Sequence, residues 1–167
     1  MTSRGDFPFF QQRGTFGCGL ASLKMIMDYY GKKNNLYEIK TACGISGRGA
    51  FLSELITGAE LLGFYTLVIR CDIKDLSSKI PLPAIILWEN KHYNVVYDVD
   101  SEWVYAADPA LGKVKYSHDE FRRGWYQQGE RTGVLLAMKP ASDFTTKKGA
   151  TLTIDPNFIE LTDIPEE

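Results

Sequence analysis

Gln12-Arg13-Gly14-Thr15-Phe16-Gly17-Cys18-Gly19-Leu20-Ala21-Ser22-Leu23-Lys24-Met25-Ile26 sets a cysteine between two glycines at the mouth of an apolar run. From Leu20 to Tyr30 nearly every position is apolar. That pattern predicts a helix buried on most sides, with Gly31 closing it as a C-terminal cap. The core would then fix the helix N-terminus. A thiol held there faces unpaired backbone N–H groups and the positive end of the helix dipole, which favour thiolate over thiol. The flanking glycines let another backbone come close. By residue type alone, Cys18 would be a small buried core residue. To act as a nucleophile it needs partners, and Gln12, six residues earlier, and a His and an Asp far downstream are the candidates.

Length and composition narrow the field. A chain of 167 residues with 44% hydrophobic content can bury a core. We expect one domain over residues 1–140, with 141–167 a linker or truncated extension ending in Glu166-Glu167. A formal net charge of −2 from 19 basic and 21 acidic residues gives no field for nucleic acid or an acidic membrane. Cys18, Cys43 and Cys71 form no CxxC pair, and only two histidines are present. Neither a disulfide framework nor a zinc site is suggested, and a reducing compartment fits. Cys43 and Cys71 read as small buried residues. Met1 to Phe10 has no apolar signal-peptide core, and no apolar run approaches the ~20 residues that span a bilayer, so the chain reads as soluble.

Along the chain, residues 1–17 read as an extended lead-in carrying Gln12 toward the site. A second helix is expected from Leu36 to Ala42, capped by Asn34 or Asn35 and ended at Gly44. The loop with Gly44, Gly47 and Gly49 lacks any phosphate-binding pattern, and no ATPase motor is present. Phe51 to Leu62 has helical spacing and stops at Gly63, Phe64 to Arg70 is β-type, and Asp72 caps a short helix to Lys79. Strands follow at Pro83–Trp88, His92–Tyr97, Trp103–Ala107 and Thr132–Met138, with a helix from Ser117 to Trp125 inserted before the last. His118 belongs to that helix's first turn and reads as a surface residue. Helices first and an antiparallel sheet second give an α+β architecture.

His92 and Asp108 flank a hairpin whose turn-prone residues are Asp98-Val99-Asp100-Ser101. If the turn centres on Asp100, His92 faces Asp108 directly; a one-residue slip puts Ala107 opposite it instead. So placed, Asp108 would fix the His92 tautomer and leave the second ring nitrogen for Cys18. Asp108 before Pro109 reads equally well as a turn starter.

Taken together, these stretches resemble the bacteriocin-processing cysteine peptidases that cut double-glycine leaders, the N-terminal domain of peptidase-containing ABC transporters. The family pattern is filled by Gln12, Cys18-Gly19, Ala21-Ser22 and Tyr29-Tyr30-Gly31, by Gly47 to Leu55 with Ala59 to Phe64, and by His92-Tyr93-Asn94-Val95-Val96 and Asp108-Pro109. The likeness covers roughly residues 8 to 140. Two departures are Gly17, where most members carry an acidic residue, and Asn94, within a run that is usually apolar. The resemblance implies a papain-like fold, with N-terminal helices packed on a C-terminal antiparallel sheet. It implies Cys18 as nucleophile, His92 as base, Asp108 as its orienter and Gln12 in the oxyanion hole, with no metal or organic cofactor. The implied substrate is a precursor peptide whose leader carries an amphipathic helix and ends in Gly-Gly, with Phe16, Trp88 or Tyr93 as candidate cleft walls. The implied partners are the membrane and ATPase domains of an exporter at the cytoplasmic face of the inner or plasma membrane, with no nucleic acid. Two other readings stay open: a leader-binding docking module without catalysis, and a papain-like amidase or acyl transferase.

Overall fold

The computed structural model describes residues 4–15, 17–45, 47 and 49–141, together with the backbone of 159–160. Phe16, and the expected extension apart from Ala141 and that dipeptide, lie outside the described residues.

Helix α1 (Cys18–Tyr29) begins at the cysteine itself. Leu23, Met25, Ile26 and Met27 are fully buried, and burying such a side chain contributes about 1.5–3 kcal/mol. Its end is a Schellman motif: Gly31, at φ 79°, donates to Asp28 O and Lys32 donates to Met27 O. Helix α2 (Leu36–Cys43) is capped by Asn35, which exchanges side-chain and backbone hydrogen bonds with Glu38, and Gly44 closes it in the left-handed region. Helix α3 (Leu52–Leu61) starts one residue later than its spacing suggests, because Phe51 is the N-cap and donates its N–H to Glu54.

The strands are β1 (Phe64–Cys71), β2 (Ala84–Trp88), β3 (His92–Val99), β4 (Trp103–Asp108), β5 (Gly112–Ser117), β6 (Gly133–Pro140) and β7 (Ile159–Glu160). They form one antiparallel sheet in the order β5-β4-β3-β2-β6-β1-β7. Helices α1 to α3 and one apolar cluster cover one face. Short helices α4 (Ile73–Ser78) and α5 (His118–Trp125) cover the other through Ile73, Leu76, Phe121 and Trp125. The N-terminal helices pack on an antiparallel sheet as expected, and the β-type run after α3 enters that sheet as β1, between β6 and β7. β5 has no counterpart among the sequence expectations. Its Gly-Lys-Val-Lys-Tyr-Ser alternation is half exposed, and Lys115 lies over the Trp103 ring.

The β3–β4 register differs from the expected one. Val99 pairs with Val104 and Asp98 with Tyr105, but Val96 pairs with Ala106 and Val95 with Ala107. Tyr97 is therefore an extra residue on β3, a bulge, with its ring stacked on Phe7 at 4.5 Å. Continued one pair further, this register sets Asp108 opposite Asn94 rather than His92. Parity is kept, so His92 and Asp108 share a face and meet diagonally. A ladder without the bulge would set Asp108 opposite Val95, turned away from His92.

The α5 face depends on a glycine. A Cβ at Gly124 would lie 2.0 Å from the Trp88 ring, and that ring is held by Tyr116 at 4.8 Å and Phe121 at 5.5 Å. Gly124→Ala should cost about 1–3 kcal/mol. In urea unfolding the midpoint falls with the slope unchanged; a midpoint at or above the parent's contradicts this packing.

Candidate active site

Cys18 is almost wholly buried at the first residue of α1, and no side chain caps the preceding Gly17. A Cβ at Gly17 would meet the Arg13 carbonyl oxygen at 2.6 Å, so the lead-in backbone does come against the helix mouth, as the glycines suggest. Gly19 is confined less tightly, by the side chains of Ala50, Leu55 and Tyr93 at 3.1–3.3 Å from a Cβ placed there. Burial pushes the Cys18 thiol up. A hydrogen bond with His92, backbone N–H groups of Tyr93 and Gly19, and the His92 charge outweigh it, so the thiol ends below its ordinary value.

His92 opens β3, and its Nε2 is 2.9 Å from Asp108 Oδ1. The hydrogen bonds with Asp108 and then with Cys18 raise the imidazole to about 9 against the opposing effect of burial. With Nε2 on Asp108, Nδ1 is the nitrogen left for the thiol. Burial pushes Asp108 up, but the His92 ring and the N–H groups of Ala110 and Leu111 more than offset it, holding the carboxyl below its ordinary value. Asp108 thus fills both roles read from the sequence: Oδ1 accepts from the Ala110 N–H at 2.8 Å as a turn starter while also holding the imidazole. A thiol moved down beside an imidazole moved up favours a thiolate–imidazolium pair at neutral pH.

Gln12 is anchored beside this turn by its backbone N–H, which donates to Pro109 O at 2.9 Å. Its amide nitrogen points into its own loop, donating to Gly14 O at 2.9 Å and Thr15 O at 3.4 Å, and its amide oxygen is buried without a partner among the described residues. The structure therefore joins Cys18, His92 and Asp108 by hydrogen bonds, with Gln12 adjacent but turned inward. A cavity of about 350 Å³ opens beside Gly17, lined by Arg13, Leu20, Tyr37, Lys40, Gly49 and Ala50 among others. The sequence reading passed over these residues, and the available signal was the glycine cluster after α2 that fits no phosphate motif. Of the aromatics considered as walls, Tyr93 packs by Gly19, whereas Trp88 is stacked with Tyr116 against α5. His118 is not simply a surface residue, since its Nε2 bonds Asp100 O at 2.8 Å. Among the described residues no cluster could hold a metal ion, and no helix is long and apolar enough to cross a membrane.

Residues 6–143 match the model of the Peptidase C39 family. The lactococcin-G-processing and transport ATP-binding protein LagD of Lactococcus lactis is 33% identical over 132 residues, covering 76% of this chain and 18% of that protein. The colicin V secretion/processing ATP-binding protein CvaB of Escherichia coli is 31% identical over 140 residues, covering 84% of this chain and 19% of that protein. The chain thus spans about a fifth of the length of these curated relatives. Among solved structures, a double glycine motif protease from an AMS/PCAT transporter, in complex with the leader peptide, superposes with a TM-score of 0.72 at 30% identity, over 80% of this chain and 91% of that one. The peptidase domain of Streptococcus ComA, at 21% identity and a TM-score of 0.69 over 80% of this chain and 98% of that one, shares the fold. The helices on an antiparallel sheet are the papain-like architecture of these domains.

The three cysteines should separate by reactivity. Burial raises Cys43 to about 11 and Cys71 to about 12, so at neutral pH iodoacetamide should modify Cys18 more than about a hundredfold faster than either. Peptide mass mapping of the alkylated chain reads this, and comparable labelling of all three contradicts it.

Proposed function

The chain belongs to the Peptidase C39 family and is a cysteine peptidase, and on that footing we propose that it cuts the leader from a peptide precursor after a Gly-Gly pair, with Cys18 as nucleophile. The observation that carries this reading is the continuous hydrogen-bonded set Cys18, His92 and Asp108 at the N-terminus of a buried helix.

The Cys18 thiolate attacks the carbonyl of the last leader glycine, giving a tetrahedral oxyanion. The Cys18 backbone N–H at the helix start is one donor to it. The Gln12 amide is the other, after leaving its contacts with Gly14 and Thr15. His92, held as imidazolium by Asp108, gives its proton to the departing amine, and water then releases the acyl-enzyme.

The cavity beside Gly17 supports the substrate class. Gly17, the residue before Cys18, lines it with Gly47, Gly49 and Ala50, which present backbone rather than bulky side chains to an extended glycine pair. Leu20, Leu36, Ile45 and Tyr37, the last 78% exposed, continue it as an apolar surface suited to one face of an amphipathic helix. The curated relatives carry secretion and transport in their names, and the chain spans about a fifth of their length. An ABC exporter at the cytoplasmic side of a membrane is the partner this reading assigns.

The test is mass spectrometry of a synthetic precursor with an amphipathic leader ending in Gly-Gly, incubated with the parent, Cys18→Ala and Gln12→Ala. The parent should cut after the second glycine, Cys18→Ala should not, and Gln12→Ala should lose about 10²–10³ in kcat. Leader binding without cleavage by the parent would make this a docking module. Cleavage of small amides without need of the leader would make it an amidase.

A further inference from the structure

Asn94 is fully buried on β3, yet neither its amide oxygen nor its amide nitrogen has a hydrogen-bond partner among the described residues. Burying an amide unpaired is costly, and two of its neighbours on that face are apolar. Ile86 pairs with it across β2, and both Ile86 and Val96 belong to the apolar cluster under α5. Its position explains it better than its surroundings do. The bulged register sets Asn94 opposite Asp108 on the same face, where directly opposed Cβ atoms lie about 4.5–5.5 Å apart.

We propose that Asn94 is a positioning residue for the reacting set, its amide N–H donating to the Asp108 carboxylate through one buried water. The inference rests on Cys18, His92 and Asp108 being that set. Asp108 Oδ1 already receives the His92 ring and the Ala110 N–H. His92 from β3 faces the carboxylate, and Tyr116 from β5, itself beside Glu89 of the β2–β3 turn and Glu120 of α5, feels its charge. Of these only His92 brings positive charge. A fixed amide on the open side of the carboxylate would keep it aimed at the imidazole, and an aimed carboxylate keeps the imidazolium that holds the Cys18 thiolate.

Asn94→Leu keeps the volume and removes the polar atoms, and Asn94→Ser keeps a hydrogen-bonding group. The measurement is the rate of Cys18 alkylation by iodoacetamide against pH, read by peptide mass mapping, alongside the melting temperature of each chain. Asn94→Leu should move the alkylation midpoint up by about one pH unit toward an ordinary thiol, with the melting temperature close to the parent's because Leu fills the same volume beside Ile86 and Val96. Asn94→Ser should return the midpoint toward the parent's. A Leu variant with the parent's midpoint overturns the proposal, and so does one that melts well below the parent, which would make the asparagine structural. Cys18 titrating as an ordinary thiol in the parent as well would overturn the reacting set instead.

Discussion

Asp108 is almost wholly buried, and at that depth its carboxylate is kept ionised by the His92 ring and the N–H groups of Ala110 and Leu111. The remaining properties of the site follow from that buried charge. It makes the imidazole more basic and fixes which nitrogen faces the thiol, and the imidazole in turn draws the Cys18 thiol below its ordinary value. Burial pushes the Cys18 thiol up as it does at Cys43 and Cys71, and only at Cys18 do an imidazole and nearby backbone N–H groups more than offset it.

Two features of the fold deliver these groups to one another. The apolar α1, buried along most of its length and closed at Gly31, fixes where its first residue stands. The β3 bulge at Tyr97 turns His92 and Asp108 to the same face, and the stacking of Tyr97 on Phe7 ties that bulge to the segment leading to Gln12. The same segment is pinned at Pro109 and presses its Arg13 backbone on Gly17. Lead-in, helix mouth and hairpin end therefore meet as one unit, with the cavity of about 350 Å³ beside them.

Much of this was legible in the sequence because it rests on local signals. Apolar spacing gave α1 and α3, Asn34 or Asn35 was read as the start of α2, and Ser117 as that of α5. What was not legible depends on long-range packing. Nothing in Asp98-Val99-Asp100-Ser101 announces a bulge at Tyr97, whose ring packs on Phe7, ninety residues away in sequence. The inward turn of the Gln12 amide and the cavity walls at Arg13, Tyr37 and Lys40 are likewise set by how loops fold over one another.

The central claim is that the fold holds Cys18 and His92 as a thiolate–imidazolium pair. Only two histidines are present, so the His92 ring is readily assigned by NMR. Its chemical shift followed against pH in the parent and in Cys18→Ala tests the claim most directly. The account predicts a titration near pH 9 in the parent, moving lower when the thiol is removed, since Cys18 is among the groups that raise it. A His92 that titrates at its ordinary 6.5 in both chains would contradict it.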